Sequence, residues 1–396
     1  MPMRPSSRIE GPPMRELFLK NAYVYRGRDF APADVLVQEG VLAAVGPDIH
    51  YPVGTQVLDL NGMALVPGFI DVHTHGGDGI DVNAAAARDL QKIGAFFARH
   101  GTTSWLCSIL TDTEQQTLWC IDQARQAIEC PGPGARLLGI HLEGPFLAPA
   151  YKGAMPQHLL RQGDAELFRR YQEAAGGAVR YLTVSPEVEG VLEMIAQVSK
   201  EVAVAIGHSG ADYETSMRAI ANGAAAATHT FNAMGLFHQH RPAIMGAVLE
   251  SSVYCEAICD GRHLHPAAVR LLLKCKGWDR VVAVTDSIQA AGLPDGHYKL
   301  GVNDVVVLDG DAKLADTGVR AGSTLSQDTA LRNLMDFTGK SAADVLPLLT
   351  ENPARLIGVF EKKGSIEPGK DADLVVLDRA WNVRRTIVAG ESVYEA

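Results

Sequence analysis

The sequence predicts an α/β protein: a (β/α)8 TIM-like barrel with a small β-sandwich domain formed by both termini. Eight apolar, β-branched runs follow one another between residues 64 and 286, and stretches with helical spacing separate most of them. Strands that are apolar on both faces and alternate with helices form a parallel sheet, and eight such units close into a barrel. Both chain ends, by contrast, read as short strands broken by Gly, Pro and Asn.

The composition along the chain indicates a terminal extension and two domains. Residues 1–14 are polar and rich in proline, so a disordered extension is predicted there. Residues 15–66 and 367–396 each hold too few apolar residues for a core of their own, so we expect them to form the β-sandwich domain together. Residues 67–366 are predicted to form the barrel, with an inserted hairpin at 298–316 after the eighth strand.

The barrel elements can be assigned in chain order. The predicted strands are 64–72, 102–110, 136–142, 179–184, 202–208, 224–231, 253–259 and 281–286. Helical spacing is clearest at 83–100 and 114–128, between the first three strands. Two further helices, predicted at 324–339 and 341–350, close the domain.

Charge and cysteine content exclude several classes of function. The net charge is −10, and no cluster of Lys or Arg offers a surface for phosphate backbones, so nucleic acid is not expected as a partner. No apolar run reaches 18 residues and the first residues lack an apolar signal segment, so neither a membrane span nor a signal peptide is predicted. Six scattered cysteines are typical of reduced thiols. We therefore expect a cytoplasmic protein.

Polar side chains stand at the ends of the predicted strands, where a barrel carries its active site. The stretch PGFIDVHTHGG ends the first strand, and because strand residues alternate in direction, His73 and His75 point the same way. Four further strand ends carry Glu143, His208, His229 and Asp286. Such groups converge at a high cost unless they bind a cation. Imidazole with carboxylate suits Zn2+ or a similar ion, and six ligands are enough for two ions.

A single histidine at a strand end is more often a hydrogen-bonded core residue than a ligand. Five unrelated coincidences at five strand ends are a poorer explanation than one metal site, so we interpret the set as ligands. His141 remains open, since it shares a face with Glu143 but fits equally well as a hydrogen-bonded interior histidine.

Several motifs together resemble the N-acetylglucosamine-6-phosphate deacetylase family of the amidohydrolase superfamily. They are the His-x-His after PGFID, then LEGPF, GHS, THTFNAM, DGRH, VTDS and LAD…AGSTL. His-x-His is weakly specific, whereas LEGPF, THTFNAM and AGSTL in this order are far more specific. The resemblance covers nearly the whole chain. It implies hydrolysis of the acetamide of an N-acetylated amino sugar 6-phosphate, by a homodimer in which one subunit contributes to the other's substrate site.

The resemblance also implies a role for each matching residue. Glu143, His208 and His229 match the main metal ligands, while His73 and His75 match members that hold a second ion. Asp286 matches the catalytic acid/base, and His263 matches a residue that contacts substrate and polarises its carbonyl. The other positions matching substrate contacts are Ala154, Asn232, Ala233, Arg262, Ala321, Gly322 and Ser323.

Two departures from the family pattern concern the substrate. Met155 stands where many members have a substrate-binding histidine, and His240 stands where an arginine reaches the 6-phosphate across the dimer. Arg241, one place later, is a candidate replacement. An imidazole anchors phosphate less well than a guanidinium fork. An unphosphorylated, epimeric (galactosamine-type) or other N-acyl substrate is therefore the alternative to the 6-phosphate.

The implied chemistry requires one or two divalent ions, with Zn2+ favoured by ligand type and Fe2+ or Mn2+ as alternatives. Asp286 is expected to act as general base and then general acid, although a purely ligating role stays open. A cyclic amide hydrolase is less favoured, because Glu143 stands where those enzymes use a modified lysine, and the LEGPF and AGSTL segments disfavour a deaminase. A non-catalytic relative would be expected to have lost ligands, and this chain keeps them all.

Overall fold

A computed structural model describes residues 16–396, so the predicted extension at 1–14 lies outside the described residues. The described chain begins with five strands: β1 (Glu16–Arg26), β2 (Asp29–Gln38), β3 (Val41–Gly46), β4 (Gln56–Asp59) and β5 (Ala64–Pro67). A register shift between Leu19 and Ala22, with Asn21 at φ +56°, bends β1. The bend lets β1 pair with β4 through its first half and with β5 through its second.

The eight predicted barrel strands form one parallel sheet. They are β6 (Phe69–Asp71), β9 (Thr102–Leu110), β10 (Arg136–Glu143), β11 (Val179–Val184), β12 (Ala203–Ile206), β13 (Ala224–Ala227), β14 (Tyr254–Ile258) and β15 (Val281–Val284). A separate two-stranded sheet, β7 (Gly76–Gly77) with β8 (Ile80–Asp81), follows β6 in the chain. Just beyond β6 and β15, the Asp286 amide donates to the His73 carbonyl (2.9 Å) and the His75 amide donates to the Ser287 carbonyl (2.7 Å). These bonds join the first strand to the last, which confirms the barrel.

Helices cover the outside of the barrel. They are α1 (Ala87–Arg99), α2 (Glu114–Glu129), α3 (Ala165–Ala174), α4 (Val191–Val198), α5 (Tyr213–Ala221), α6 (Ala243–Glu250), α7 (Pro266–Lys276), α8 (Gln327–Thr338), α9 (Ala342–Val345) and α10 (Glu351–Leu356). Thr113, Asp164 and Asp212 cap α2, α3 and α5 by accepting backbone N–H groups. The helix predicted at 341–350 is shorter, because Pro347 lies in a 3-10 turn directly after α9.

The insertion after the eighth strand has three strands rather than two: β16 (Gly296–Leu300), β17 (Asn303–Leu308) and β18 (Asp311–Leu314). We call this sheet the ribbon. Its second turn, Asp309-Gly310, has positive φ at both residues (51° and 73°), as a tight hairpin between twisted strands requires. The hairpin predicted at 298–316 omitted the first two residues of β16, which begins at Gly296.

Three C-terminal strands complete the small domain: β19 (Leu374–Leu377), β20 (Val383–Val388) and β21 (Glu391–Glu395). The sheet runs β21-β20-β19-β5-β1-β2-β3, with β4 beside β1, so strands from both ends of the described chain share it. A bridge between Val41 and Asp371 brings edge strand β3 against the segment before β19, so one sheet curls around its own core. This confirms that both termini build one unit.

Gly68 marks the passage from the small sheet to the barrel. The apolar run predicted as one strand at 64–72 is two strands, because Pro67 ends β5 and Phe69 begins β6. A Cβ atom at Gly68 would lie 2.0 Å from the Thr103 hydroxyl of β9, so only glycine fits this crossing without movement. The predicted domain boundaries at 66/67 and 366/367 stay a prediction.

Candidate active site

The two histidines of PGFIDVHTHGG point into the same space at the end of β6. Both are buried, and their Nε2 atoms are 3.2 Å apart. Asp286, at the end of β15, places Oδ1 3.2 Å from His75 Nε2 and 3.6 Å from His73 Nε2. These three side chains form one group whose ligand-type atoms converge, which we call group A (His73, His75 and Asp286).

A second group lies against the first. Glu143, the last residue of β10, places Oε1 3.1 Å from His208 Nε2 and 3.3 Å from His229 Nε2, and the two imidazole nitrogens are 2.9 Å apart. We call Glu143, His208 and His229 group B. The other oxygen of Glu143, Oε2, lies 3.2 Å from His75 Nε2. One carboxylate thus stands between the two groups.

Three of these residues have a left-handed backbone. His208, His229 and Asp286 have φ of +48°, +30° and +49°, a region that costs energy for any residue with a Cβ atom. Each lies two residues beyond the end of a strand, where the chain must turn sharply to leave the barrel. The strained turns aim the side chains back over the strand ends, so they are a means of bringing the groups together.

The donor set and its spacing fit divalent metal ions. Nitrogen and oxygen ligands about 2.1 Å from a tetrahedral Zn2+ lie roughly 3.4 Å from one another. Within group A the three separations are 3.2, 3.2 and 3.6 Å, and within group B they are 2.9, 3.1 and 3.3 Å. Each group therefore offers a set of ligand atoms around one point, as the strand ends predicted.

Hydrogen bonds to the far ring nitrogens orient these imidazoles. His75 Nδ1 lies 3.0 Å from the Ser108 carbonyl, and His208 Nδ1 lies 2.8 Å from the Tyr151 carbonyl. A carbonyl only accepts, so each Nδ1 carries a proton, and Nε2, which faces the centre of the site, is the nitrogen that can bind a metal. Carbonyl anchors of this kind hold ligand histidines at metal sites.

The electrostatics of the site are those of neighbouring imidazoles and carboxylates. Burial alone would lower the pKa of His75, but Asp286 and Glu143 offset this and raise it to about 9. Burial would raise the pKa of Glu143, but His73 and the two group B imidazoles hold it well below its usual range. Burial would also raise the pKa of Asp286, and His73 and His75 lower it instead. Both carboxylates are therefore ionised and able to bind cations.

His141 has both ring nitrogens engaged away from the site. Nδ1 lies 2.8 Å from the Ser108 hydroxyl, and Nε2 lies 2.9 Å from the Thr183 hydroxyl. Burial, reinforced by the charge of His73, holds the pKa of His141 well below its usual value. Of the two interpretations left open by the sequence, the geometry fits the neutral, hydrogen-bonded interior histidine.

A cavity of about 560 Å³ opens onto the two groups. Six of the predicted substrate positions line it: Ala154, Asn232, Ala233, His263, Ala321 and Gly322. His263 is held by Asp260, which accepts from the His263 Nδ1 and backbone N–H groups at 2.7 Å each, so the other ring nitrogen is left free. This arrangement leaves Nε2 available to bond to a ligand, as an acceptor when the ring is neutral and as a donor when it is an imidazolium.

The other four predicted substrate positions do not line the cavity. Ser323 is buried, and its amide donates to the Asp286 carbonyl at 2.7 Å. Arg262 is exposed and donates to the Asp309 carbonyl of the ribbon. His240 and Arg241 lie on an exposed loop before α6. Their roles in substrate binding stay predictions.

Two cationic side chains in the cavity were missed by the sequence analysis. Among the described residues that line it, Lys152 and Arg320 are the only Lys or Arg. The Arg320 guanidinium is held by both oxygens of Asp311, at 2.7 and 2.9 Å, and it keeps two further N–H groups. Arg320 directly precedes the AGSTL segment, but nothing in its type or spacing distinguishes it from a surface residue of a turn.

Met155 does not face the substrate cavity. Its side chain is 2% exposed and packs among Leu110, Leu147, Ile288 and Leu300, under the ribbon. The position that we compared with a substrate-binding histidine is therefore part of an apolar cluster in this chain. The departure at residue 155 bears on how the ribbon packs, and it gives no reason to doubt a phosphorylated substrate.

Comparison with known proteins identifies the family. The model described as Amidohydrolase family matches residues 64–393, which is most of the chain. The chain belongs to the amidohydrolase family. Membership implies a divalent metal, which the two ligand groups fit, and hydrolysis of a C–N amide bond. The protein is a metal-dependent hydrolase.

Relatives within the amidohydrolase family confirm the resemblance drawn from the motifs. The N-acetylglucosamine-6-phosphate deacetylase of Bacillus subtilis (strain 168) is 38% identical over 335 residues, 83% of this chain and 84% of its own length. The N-acetylgalactosamine-6-phosphate deacetylase of Escherichia coli O157:H7 is 35% identical over 90% of this chain and 93% of its own. The solved Mycobacterium smegmatis N-acetyl-D-glucosamine-6-phosphate deacetylase mutant, in complex with N-acetyl-D-glucosamine-6-phosphate, has a TM-score of 0.87 at 33% identity, covering 96% of this chain and 99% of that chain.

All six cysteines are free, four of them buried. Among the described residues, no helix combines the length and apolar character that a membrane crossing needs.

Proposed function

We propose that this protein hydrolyses the acetamide of N-acetyl-D-glucosamine 6-phosphate to give D-glucosamine 6-phosphate and acetate. The observation that carries the proposal is the pair of ligand groups, A and B, with Asp286 beside them in a cavity open to solvent. The names of several relatives similar over the bulk of the chain supply the substrate, since these are deacetylases of this sugar phosphate.

The proposed chemistry assigns a task to each residue. When bound, a divalent ion lowers the pKa of water toward neutrality and polarises the amide carbonyl. Asp286 accepts the proton that the attacking water gives up and returns it to the leaving nitrogen, acting as base and then as acid. His263, whose Nδ1–H donates to Asp260, donates from Nε2 to the carbonyl oxygen when the ring is in its imidazolium form. All six side chains of groups A and B, Asp286 among them, are proposed to be metal ligands.

The metal is proposed to be Zn2+, one or two ions per subunit, with Fe2+ or Mn2+ able to use the same ligands. Glu143 lies between the groups and has an oxygen for each, which favours two ions. A cytoplasmic location is inferred, supported by the six free thiols.

The anionic end of the substrate is proposed to meet cations from two sources. Within one subunit, Lys152 and Arg320 line the cavity. In a homodimer, which we infer from the family resemblance, the exposed loop carrying His240 and Arg241 is the segment available to reach a partner's cavity. A phosphate group makes charge-assisted hydrogen bonds to either set.

Acetate release by the zinc-loaded protein tests the proposed function. The substrates are N-acetylglucosamine 6-phosphate, its galactosamine epimer and unphosphorylated N-acetylglucosamine. We expect kcat/KM for the first to exceed that for the unphosphorylated sugar by about 100-fold, because two charge-assisted hydrogen bonds are lost with the phosphate. The variant Asp286→Asn is expected to lower kcat by roughly 10²–10⁴. Absence of acetate release from all three would refute the deacetylase proposal, and faster turnover of the epimer would reassign the sugar.

A further inference from the structure

Glu256 is a buried carboxylate that the chemistry above does not use. It lies on β14, its side chain is 0% exposed, and one of its oxygens, Oε1, has no hydrogen-bond partner among the described residues. Burying an ionised carboxylate is costly unless it is paired and bonded. Within the described chain its ion-pair partner is the imidazole of His73, and no Lys or Arg pairs with it. The bonds made by the other oxygen, Oε2, are therefore what compensates for burying this carboxylate.

Glu256 contacts both ligand groups. Its Oε2 lies 2.9 Å from the Nδ1 of His73, in group A, and accepts the backbone N–H of His229, in group B, at 2.8 Å. Its backbone carbonyl accepts the next amide, that of Thr230, at 3.0 Å. One residue on the seventh barrel strand thus bonds to the first strand and to the turn after the sixth.

The bond to His73 determines which ring nitrogen faces the metal site. A carboxylate only accepts, so His73 Nδ1 carries a proton, and Nε2 is the nitrogen left to bind a metal. Nε2 points to His75 and Asp286, at 3.2 and 3.6 Å. Without Glu256, the ring is free to rotate or to carry its proton on Nε2, which cannot then bind a metal.

The bonds to the 229–230 turn act on the backbone instead. His229 has φ of +30°, which residues with a Cβ atom adopt only when the surroundings hold them there. Two successive amides donating to Glu256 supply such a restraint. With its backbone held in this turn, His229 directs Nε2 toward His208 and Glu143.

We propose that Glu256 is a positioning residue for the metal centre, fixing the ring of His73 in group A and the backbone of His229 in group B. It acts through the ligands and contacts neither substrate nor metal. The inference rests on the metal-dependent hydrolysis proposed above. Its test measures metal binding rather than hydrolysis, so it can be refuted while the proposed hydrolysis stands.

Two variants at residue 256 separate hydrogen bonding from charge. In Glu256→Gln, the amide oxygen replaces Oε2 and still accepts from both His73 and His229, while the charge is lost. In Glu256→Leu, the volume is similar and both bonds are lost. The Kd of Zn2+, measured by competition with a chelator, is expected to rise about 10- to 100-fold in Glu256→Leu, the usual effect of removing a group that orients a ligand. In Glu256→Gln it is expected to rise less than about 10-fold.

A spectroscopic readout accompanies the affinity. The visible absorption of the Co2+-loaded protein reports the geometry of the ligands, so Glu256→Leu is expected to change its band positions and intensities while Glu256→Gln resembles the wild type. The matched control is Asp328→Asn. Asp328 is also a buried carboxylate bonded to a histidine Nδ1, that of His100 at 3.0 Å, but it lies on α8, away from the ligand groups. The Kd of Zn2+ for the Asp328→Asn protein is expected to stay within about twofold of the wild-type value.

Three results would overturn the inference or its basis. A folded Glu256→Leu with a Zn2+ Kd within about twofold of wild type and an unchanged Co2+ spectrum would refute the positioning role. Should Glu256→Leu not fold, the ¹⁵N resonances of His73 in the zinc-loaded wild type decide: a protonated, hydrogen-bonded Nδ1 is expected, and an unprotonated one refutes the role. Failure of the wild type to bind any metal would instead refute the proposed hydrolysis itself.

Discussion

At the scale of single residues, Arg320 shows how a cation can be kept ready for an anion. Asp311 binds its Nε and one terminal nitrogen, which fixes the guanidinium on the cavity wall and leaves further N–H groups to donate. Asp311 also pairs with Lys313 at 2.9 Å, so one carboxylate faces two cations and the cluster of three keeps a positive charge. A fixed, charged fork is well suited to phosphate.

We therefore predict that Arg320→Leu raises KM for N-acetylglucosamine 6-phosphate about 10-fold or more, because a charge-assisted hydrogen bond is lost. KM for the unphosphorylated sugar should not change. Lys313→Met is the control, because it removes the other cation on Asp311 without altering the cavity lining. Equal effects of Arg320→Leu on both sugars would mean that Arg320 supports the ribbon and does not contact the phosphate.

Residue-scale prediction from the sequence succeeded where a strand's alternation determines direction. His73 and His75 were correctly expected to point together, and Glu143 was correctly expected at a strand end. Glu256 could not be found this way. It lies inside an ordinary apolar strand, and its importance depends on a bond to His73, 183 positions earlier in the chain.

At the scale of elements, the ribbon is seated over the barrel mouth by an apolar cluster. Met155 lies in this cluster, and the neighbouring Ala154 carbonyl accepts from Asn303 of β17 at 2.9 Å. The loop after β10 and the ribbon are therefore packed as one unit that forms part of the cavity wall.

Introducing the histidine that the family resemblance implies at residue 155 is predicted to be harmful here. Met155→His places an imidazole in an apolar cluster without a partner, so we expect a loss of about 1–3 kcal/mol in the free energy of unfolding and no gain in kcat/KM. Met155→Leu should cost less than about 1.5 kcal/mol. Urea unfolding midpoints and steady-state kinetics measure both quantities. A stable Met155→His with higher kcat/KM would show that the side chain at 155 can reach the substrate.

Asp328, in the first turn of α8, gives an element-scale prediction about pH. Burial would raise its pKa, but His100, Ser326 and Arg332 lower it to about 2. Because the folded pKa is below the unfolded value, the stabilisation is present above about pH 4 and is lost as pH falls through 2. We expect Asp328→Asn to lower the free energy of unfolding by about 2 kcal/mol at pH 7, and by roughly half as much at pH 3.

Urea unfolding at the two pH values measures this difference. Asp336→Asn, an exposed carboxylate on the same helix, serves as the control and should have little effect at either pH. A loss in Asp328→Asn that is the same at pH 7 and pH 3 would mean that packing, and not the charge, is what Asp328 contributes.

At the scale of the whole molecule, the barrel and the small sheet are joined at a crossing with no room for a side chain. Gly68→Ala is predicted to lower the free energy of unfolding by about 1–3 kcal/mol, because its methyl group would overlap the buried Thr103. Gly46→Ala, at the end of β3, is the matched control: its Cβ would meet nothing within 4 Å, so stability should be unchanged or slightly higher. A Gly68→Ala protein as stable as wild type would show that β9 can shift to admit the methyl group.

The overall fold was predictable because eight runs of the same texture can hardly be arranged otherwise. Details that depend on contacts between distant segments were not. The run 64–72 was predicted as one strand, because nothing in ALVPGFIDV shows that Pro67 and Phe69 belong to different sheets. The third strand of the ribbon and the curling of the small sheet were missed for the same reason, since both depend on pairing partners rather than on local composition.

The pairing of β5 with β19 has a consequence for the order of synthesis. Leu65 of β5 pairs with Val376 of β19, so one edge of β5 has no partner until roughly three hundred further residues have been translated. During that interval every barrel strand has already left the ribosome, while β5 presents an open edge to its surroundings. A chain that terminates before residue 374 would keep its catalytic side chains and lose the cover on this edge. Chaperones and proteases would bind such a product at the unpaired edge of β5, whether or not its active site had formed.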